Sequence, residues 1–342
     1  MILTALALAL PLLASAQKAG KSAARAYPSP PPLPGNGLAG HDFFYTGENT
    51  GKGADIQTLS LVRGGKVVFT YTMPTVDASG NQGEFSDATM LSNGDIVIAY
   101  KTGWRKISPE GKTLYDYQCP KGPLGWHECH TVQPIGNDRV FYIQNGNPDP
   151  EARIYNIATD TIEMRHTLDV KQPIRSIHLQ FRNCRLLKNG HYLIAHMDLG
   201  KIIEYDRDWK PVWQTDCSAA WHATRLKNGN TLINGNTYPG VREIAPDGKT
   251  VVWELRDGDL PGFRINSVHQ AQRLSNGNTV ITNWTNGVAI ADRPRIVQLI
   301  EVTPDKKVVW AINQWADPNL GPASCIQILG EPGFAEDCDL MR

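Results

Sequence analysis

The sequence predicts an all-β fold of repeated four-stranded units, and three observations carry the prediction. An apolar residue, a polar residue and Asn-Gly recur before short β-type runs: Leu91-Ser92-Asn93-Gly94, Leu187-Lys188-Asn189-Gly190, Leu226-Lys227-Asn228-Gly229 and Leu274-Ser275-Asn276-Gly277, with a degenerate copy at Ile135-Gly136-Asn137-Asp138. A second turn, Pro-Asp-Gly-Lys or a looser relative, follows each copy and precedes an apolar strand: Pro246-Asp247-Gly248-Lys249 leads to Val251-Val252-Trp253, and Pro304-Asp305-Lys306-Lys307 to Val308-Val309-Trp310. No segment has the length and 3.6-residue period of a substantial helix.

Asn-Gly between apolar runs is a strong hairpin signal, and a type I′ turn is expected because both of its central positions take positive φ. Two hairpins per repeat make a four-stranded antiparallel unit. Such units bury both faces only by stacking around an axis as propeller blades. Outer turns near residues 64, 110, 160, 208, 247 and 305 give six units, whereas inner hairpins near 93, 136, 189, 228 and 276 give five. The missing inner strand is supplied by residues 322–329, which complete the blade begun by residues 41–73 and close a six-bladed β-propeller. A seven-bladed ring or an open repeat is the alternative. Trp213, Trp253 and Trp310 repeat on the outer strand and read as core between blades.

The chain has 342 residues, 41% of them hydrophobic, so a sizeable core is available. Lys plus Arg equal Asp plus Glu at 34 each, which gives no electrostatic reason to expect a nucleic-acid partner. Residues 1–16 read as a signal peptide, an apolar run ending in Ala14-Ser15-Ala16, although no Lys or Arg precedes the run. At this length it is too short to span a bilayer, and no later segment approaches that length. Secretion or a periplasmic location is therefore expected, with no integral membrane segment after signal removal. Residues 17–40, rich in Pro, Ala and Gly, read as a tether, and residues 41–342 as the propeller. In an exported chain six cysteines can pair. Cys119 with Cys129, Cys325 with Cys338, and Cys184 with Cys217 are the candidate couples, the Cys325–Cys338 disulfide being the one expected to pin the C-terminal segment.

With strands lettered A to D from the axis outward, both kinds of tight turn project from one side of the disc. The longer, irregular B-to-C loops and D-to-A crossings project from the other, which is the expected functional face. Polar and aromatic groups concentrate where the A strands begin: Glu84-Phe85-Ser86-Asp87, Trp126-His127-Glu128-Cys129-His130, Arg175-Ser176-Ile177-His178, Arg182-Asn183, Trp221-His222 and Arg264 to Gln270. His130, His269, His222 and His178 are the candidate catalytic groups. Arg182, Arg175, Arg264, Asn183, Trp221, Tyr238, Trp284 and Asp87 are the candidate substrate-binding groups. Tyr100, Lys101, Trp104, His196 and Asn236 stand near the same loops. His130 and His269 each stand five residues before their hairpin anchors, Ile135 and Leu274, and Arg182 has the same offset from Leu187. These three should meet at the channel mouth. His222 is one residue out of phase, so alternation turns it toward the neighbouring sheet.

The strands Leu226-Lys227-Asn228-Gly229-Asn230-Thr231-Leu232-Ile233 and Leu274-Ser275-Asn276-Gly277-Asn278-Thr279-Val280-Ile281, with the Pro-Asp-Gly-Lys element and its Val-Trp strand, resemble the arylsulfotransferase-like propellers of exported bacterial proteins. The resemblance covers roughly residues 80 to 315. It implies a propeller whose channel histidine accepts a sulfuryl group while His, Arg and Asn neighbours stabilise the sulfate oxygens. The extra N-terminal domain of the larger members is not expected here, and no individual role is transferred. Three classes of function stay open: a His-dependent transferase, a lyase or hydrolase acting on an acidic glycan, and a module that binds a saccharide or aromatic ligand without turnover. A four-His metal site is a smaller fourth possibility. An anionic small molecule or glycan is the expected ligand, and no cofactor is indicated.

Overall fold

The computed structural model describes residues 27–49, 55–285 and 287–342. The signal-peptide reading and the first part of the tether lie outside them. Six four-stranded antiparallel sheets make up the described chain, together with one two-stranded ribbon, Lys121–Gly122 paired with Gly125–Trp126. From the axis outward, blade 1 is Ala323–Ile328, Phe43–Gly47, Ile56–Arg63 and Lys66–Pro74. The inner strands of blades 2 to 6 are Asp87–Met90, Glu128–Ile135, Phe181–Leu186, Ala220–Arg225 and Val268–Arg273, each followed by its three outer strands in chain order. Every inner strand touches the inner strands of both neighbouring blades, so the ring closes.

Closure is made as the repeat count requires. Ala323–Ile328 runs antiparallel to Phe43–Gly47, with Phe43 opposite Ile328 and Tyr45 opposite Ile326. Blade interfaces are filled by the two-residue alternation of strands: Phe43, Tyr45, Ile326 and Ile328 of blade 1 pack with Leu274, Val280, Leu299 and Trp310 of blade 6. The outer-strand tryptophans reach across to the next blade, Trp253 donating its indole N–H to the Pro304 carbonyl at 2.9 Å and Trp310 stacking edge-on against Phe43. Regular helix is limited, among the described residues, to three short 3₁₀ turns. No helix there is long and apolar enough to cross a membrane.

Three expectations are corrected. The Asn-Gly turns are not type I′: only the glycine takes positive φ, 86 to 88° at Gly94, Gly190, Gly229 and Gly277. In each the glycine N–H returns to the anchor carbonyl and the Asn side chain accepts the N–H two residues on, as in Gly94 to Leu91 at 3.0 Å and Asp95 to Asn93 at 2.9 Å. A turn with one left-handed residue before the strand resumes satisfies the same sheet twist. Secondly, all six cysteines are free. Five are buried, and Cys325 points its thiol at the Ala88 carbonyl, 3.2 Å away, instead of toward Cys338. Thirdly, the end of the segment read as a tether is docked: Leu33 packs on the core, the Ala311 N–H donates to Pro34 and the Trp310 indole to Gly37 at 2.7 Å.

Residues 331–342 cross the turn face of the disc. Glu331 accepts the Ser275 N–H at 2.6 Å, Glu336 accepts that of Ser92 at 3.2 Å, and Met341 accepts that of Arg273 at 3.1 Å. The segment ends with Arg342 driven into the channel, only 3% exposed, where Arg342 and Arg185 share the fully buried Asp87 carboxylate at 3.5 and 2.9 Å. This corrects the reading of Asp87 as a ligand-binding group. Replacing Asp87 by Ala leaves two buried guanidiniums facing each other, and removing one partner of such a group costs about 3–5 kcal/mol. Urea unfolding should show that loss; a loss under about 1 kcal/mol would mean the carboxylate holds nothing.

Candidate functional site at the channel mouth

Counting five residues back from each hairpin anchor, or from Leu329 in blade 1, gives Ser86, His130, Arg182, Trp221, His269 and Ser324, all buried. In five blades the strand register slips at this point, leaving a β-bulge that contains His130, Arg182, Trp221, His269 or Ser324. A bulge re-aims a side chain that regular pleating would send into a blade interface. The fold thus repeats one local irregularity around the axis and builds a ring of polar and aromatic groups from it.

One residue deeper lies a second ring, Asp87, Thr131, Asn183, His222, Gln270 and Cys325, and it is structural. His222 bonds Asn183 at 3.0 Å and Thr224 at 2.7 Å, with both ring nitrogens occupied. His222 and Asn183 therefore leave the list of candidate ligand-binding groups. Tyr238 bonds Glu254 and Arg264 pairs with Asp257 at 3.2 Å, both at the edge of blade 5 and its crossing and outside the cluster. Trp104 is buried beneath Tyr115, Tyr117, Tyr142 and Tyr155, and His196 between Phe181 and Tyr205, so neither faces the mouth.

The mouth divides into two halves, joined by Arg182. On one side the guanidinium lies over Trp221 at 4.6 Å, Trp221 stacks on His269 at 4.1 Å, and His269 stacks on Trp284 at 4.2 Å. Neither nitrogen of His269 has a hydrogen-bond partner. Burial, and then the charge of Arg182, hold its pKa well below the ordinary histidine value.

On the other side Glu128 organises two imidazoles. Its Oε2 lies 2.7 Å from His130 Nε2 and 2.8 Å from His178 Nδ1, and Ser86 Oγ lies 3.0 Å from His130 Nδ1. Chemistry fixes the protons. An ionised carboxylate only accepts, so both contacting nitrogens carry hydrogen, and the Ser86 hydroxyl donates to the remaining lone pair of His130. His178 Nε2 is left without a hydrogen-bond partner among the described residues. Against burial, the bonds from His130 and His178 hold the Glu128 carboxyl well below the usual range, while burial followed by Arg182 brings His130 down to about 4. Glu48 is the exception, raised by burial and then by the charge of Glu84.

This half opens into a cleft of about 420 Å³ on the loop face, between Asn81-Gln82, Lys101-Thr102, Leu124, Trp126 and Arg175 to His178. Lys101 is held by Glu84 at 2.8 Å, whereas Arg175 is exposed and has no ion partner among the described residues. Glu84, His130 and His178 place donor atoms within 4.8 Å of one another, a set that could hold a metal. The Lys101 ammonium satisfies Glu84, and Glu128 and Ser86 occupy both nitrogens of His130, whereas His178 keeps Nε2 without a partner.

The sequence thus brought forward His130, His178, His269, Arg182, Arg175, Trp221, Trp284 and Lys101, which the fold gathers at the mouth. It passed over Glu84, Ser86 and Glu128 as individuals. Ser86 could have been found by its offset from Leu91, which equals that of His130 from Ile135.

The class of protein these features define is a six-bladed β-propeller with an acid–base cluster at one end of its channel. No family model matches the chain, and no curated protein is similar to it. Among solved structures it is similar to a protein of unknown function from Bacteroides caccae, with a TM-score of 0.69 and 19% identity over 84% of this chain and 97% of that one. It is more distantly similar to virginiamycin B lyase from Staphylococcus aureus, solved with quinupristin in a catalytically inactive form, at a TM-score of 0.49 and 10% identity over 82% and 88% of the two chains. The first of these likenesses supports the propeller fold. Neither gives support to an arylsulfotransferase identity.

Proposed function

We propose that the protein is an exported enzyme that removes a proton from an anionic saccharide at the loop-face cleft, a lyase of acidic glycans. The observation that carries the reading is His178 itself, part-exposed on the cleft wall, oriented through Nδ1 by Glu128 and with Nε2 free, on the same lining segment as the unpaired Arg175. A carboxylate fixing one imidazole nitrogen leaves the other as a positioned general base. In the proposed step Nε2 takes the proton on the carbon next to a uronate carboxylate, and the negative charge that develops is stabilised by Arg175 and Lys101. The β carbon–oxygen bond breaks as the double bond forms, and the leaving oxygen takes a proton from the imidazolium or from water. Trp126, Leu124 and Ile177 offer apolar surface to a pyranose ring.

The sulfuryl-transfer reading has weaker support. Both nitrogens of His130 are hydrogen-bonded, and His269, although free of partners, is covered on both faces by tryptophans and is 1% exposed. A two-carboxylate hydrolase has weaker support still, because Glu84 is paired with Lys101 and Glu128 accepts hydrogen bonds from both imidazoles.

Incubation with a panel of uronate polysaccharides, followed by ultraviolet absorbance of the unsaturated end product, tests the proposal. His178→Ala should lower kcat by about 10²–10⁴-fold, the usual worth of general acid–base catalysis. Arg175→Ala should lower kcat as well as raise KM, because the group both binds the uronate carboxylate and stabilises the charge that develops on it. Reducing ends released without an unsaturated product, or turnover untouched by His178→Ala, would refute it.

A further inference from the structure

The opposite end of the channel carries a second cavity, of about 460 Å³, bounded by the turns of blades 4 and 5 and by residues 335–342. We propose that it is a binding site for a small polycarboxylate. The four Asn-Gly turns differ at one position, Ser92 and Ser275 in blades 2 and 6 against Lys188 and Lys227 in blades 4 and 5. Each serine is already met by a carboxylate of the crossing segment, Ser92 by Glu336 and Ser275 by Glu331. The turn position is therefore one that receives carboxylates. Its two lysine versions stand over the cavity, where the segment leaves an opening.

The charge balance points the same way. Arg185, Lys188, Arg225, Lys227 and Arg342 line the cavity, against Glu204 and Asp339 on its wall and Asp87 beneath it. Glu204 is spent on Arg225, Asp339 on Lys188, and Asp87 is divided between two guanidiniums. Lys227 has no ion partner among the described residues, and the buried Nε of Arg342 has no hydrogen-bond partner. Lys227 and the Arg342 Nε are thus positive groups on the cavity wall that a carboxylate ligand can engage. The volume suits a small ligand rather than a chain, within the roughly 300–1,000 Å³ of small-molecule sites.

Thermal shift and calorimetry with citrate, and with inorganic phosphate as the single-centre comparison, test the site on the full-length protein. Citrate should bind and raise Tm, phosphate should bind at least about tenfold more weakly, and added salt should weaken both. The double variant Lys188→Ala/Lys227→Ala, changed only at exposed turn positions, should lose citrate binding by about tenfold or more while keeping the parent Tm without ligand. His178→Ala on the loop face should keep it, which separates this site from the proposed catalytic one. Absence of citrate binding, equal affinity for phosphate, or citrate binding that survives the double variant would overturn the proposal.

Discussion

Lowering the pH from 7 to 5 is expected to destabilise this protein by an amount comparable to a large part of its folding free energy. Four imidazoles are kept neutral inside the disc. His196 is brought to about 3 and His130 to about 4, in both cases chiefly by burial, and His222 and His269 are held well below their ordinary value. Burial is the chief cause for all four, and the charges facing three of them add to it: Arg182 beside His130 and His269, and Arg185 and Arg342 beside His222, oppose a further positive charge. Only His130 has a carboxylate partner, Glu128. A depressed histidine pKa means the unfolded chain binds protons that the native one refuses. Stability is then complete above the unfolded pKa of about 6.5 and falls as the pH drops toward the folded value. At pH 5 the loss is about 2 kcal/mol for each of His130 and His196, with His222 and His269 adding in the same direction. Glu48, whose pKa is raised by burial and then by the charge of Glu84, contributes in the opposite direction. His130 and His196 alone account for a loss on the order of 4 kcal/mol, to be read from urea unfolding, against a typical total of about 5–15 kcal/mol. His269→Phe keeps the tryptophan sandwich and removes no hydrogen bond, so it should flatten the curve by one imidazole's share. An unchanged midpoint at pH 5 would show that these groups are protonated in the native state.

The same residues explain how far the sequence could be read. The blades were legible because the left-handed glycine after each Asn is a local requirement, repeated wherever an inner hairpin turns. The mouth was legible in part because a bulge five residues before each anchor is also repeated, so His130, Arg182 and His269 share an offset. Asp87 has the depth of a channel residue but belongs to the next position along the strand, and its partner Arg342 is 255 residues away in sequence. No local signal could name that partner. Glu84 sits in a crossing and Glu128 at the first residue of an inner strand, neither at the repeated offset, and an acid at such a place is ordinarily solvated. The cysteines misled because spacing suggests pairing, whereas Cys184 fills the strand position held by Ala88, Val132, Ala223 and Ala271 in other blades. There a thiol serves as a small apolar side chain.

Removal of residues 322–342 should abolish cooperative folding, not merely lower the melting temperature. Strand Ala323–Ile328 is buried at every position, and its loss exposes one edge of Phe43–Gly47 along with the blade faces on either side. Ala323, Ile326 and Ile328 leave the core they share with Leu274, Val280 and Trp310, and truncating buried aliphatic side chains costs about 2–5 kcal/mol each. Ser324 also bonds Thr46 and Phe85, and Gln327 bonds both backbone groups of Met90, tying blade 1 to blade 2. The deletion further withdraws Arg342 from Asp87 and the glutamates that cap the turns at Ser92 and Ser275. These losses exceed the margin of an ordinary domain. A protein ending at Gly321 should therefore show no sigmoidal thermal transition, and a synthetic peptide of residues 322–342 added in trans should restore one. A graded control separates closure from bulk: Ile326→Ala alone should keep the transition and lower stability by about 2–5 kcal/mol. If the truncated chain melts cooperatively at the parental temperature, the ring does not depend on this strand for closure.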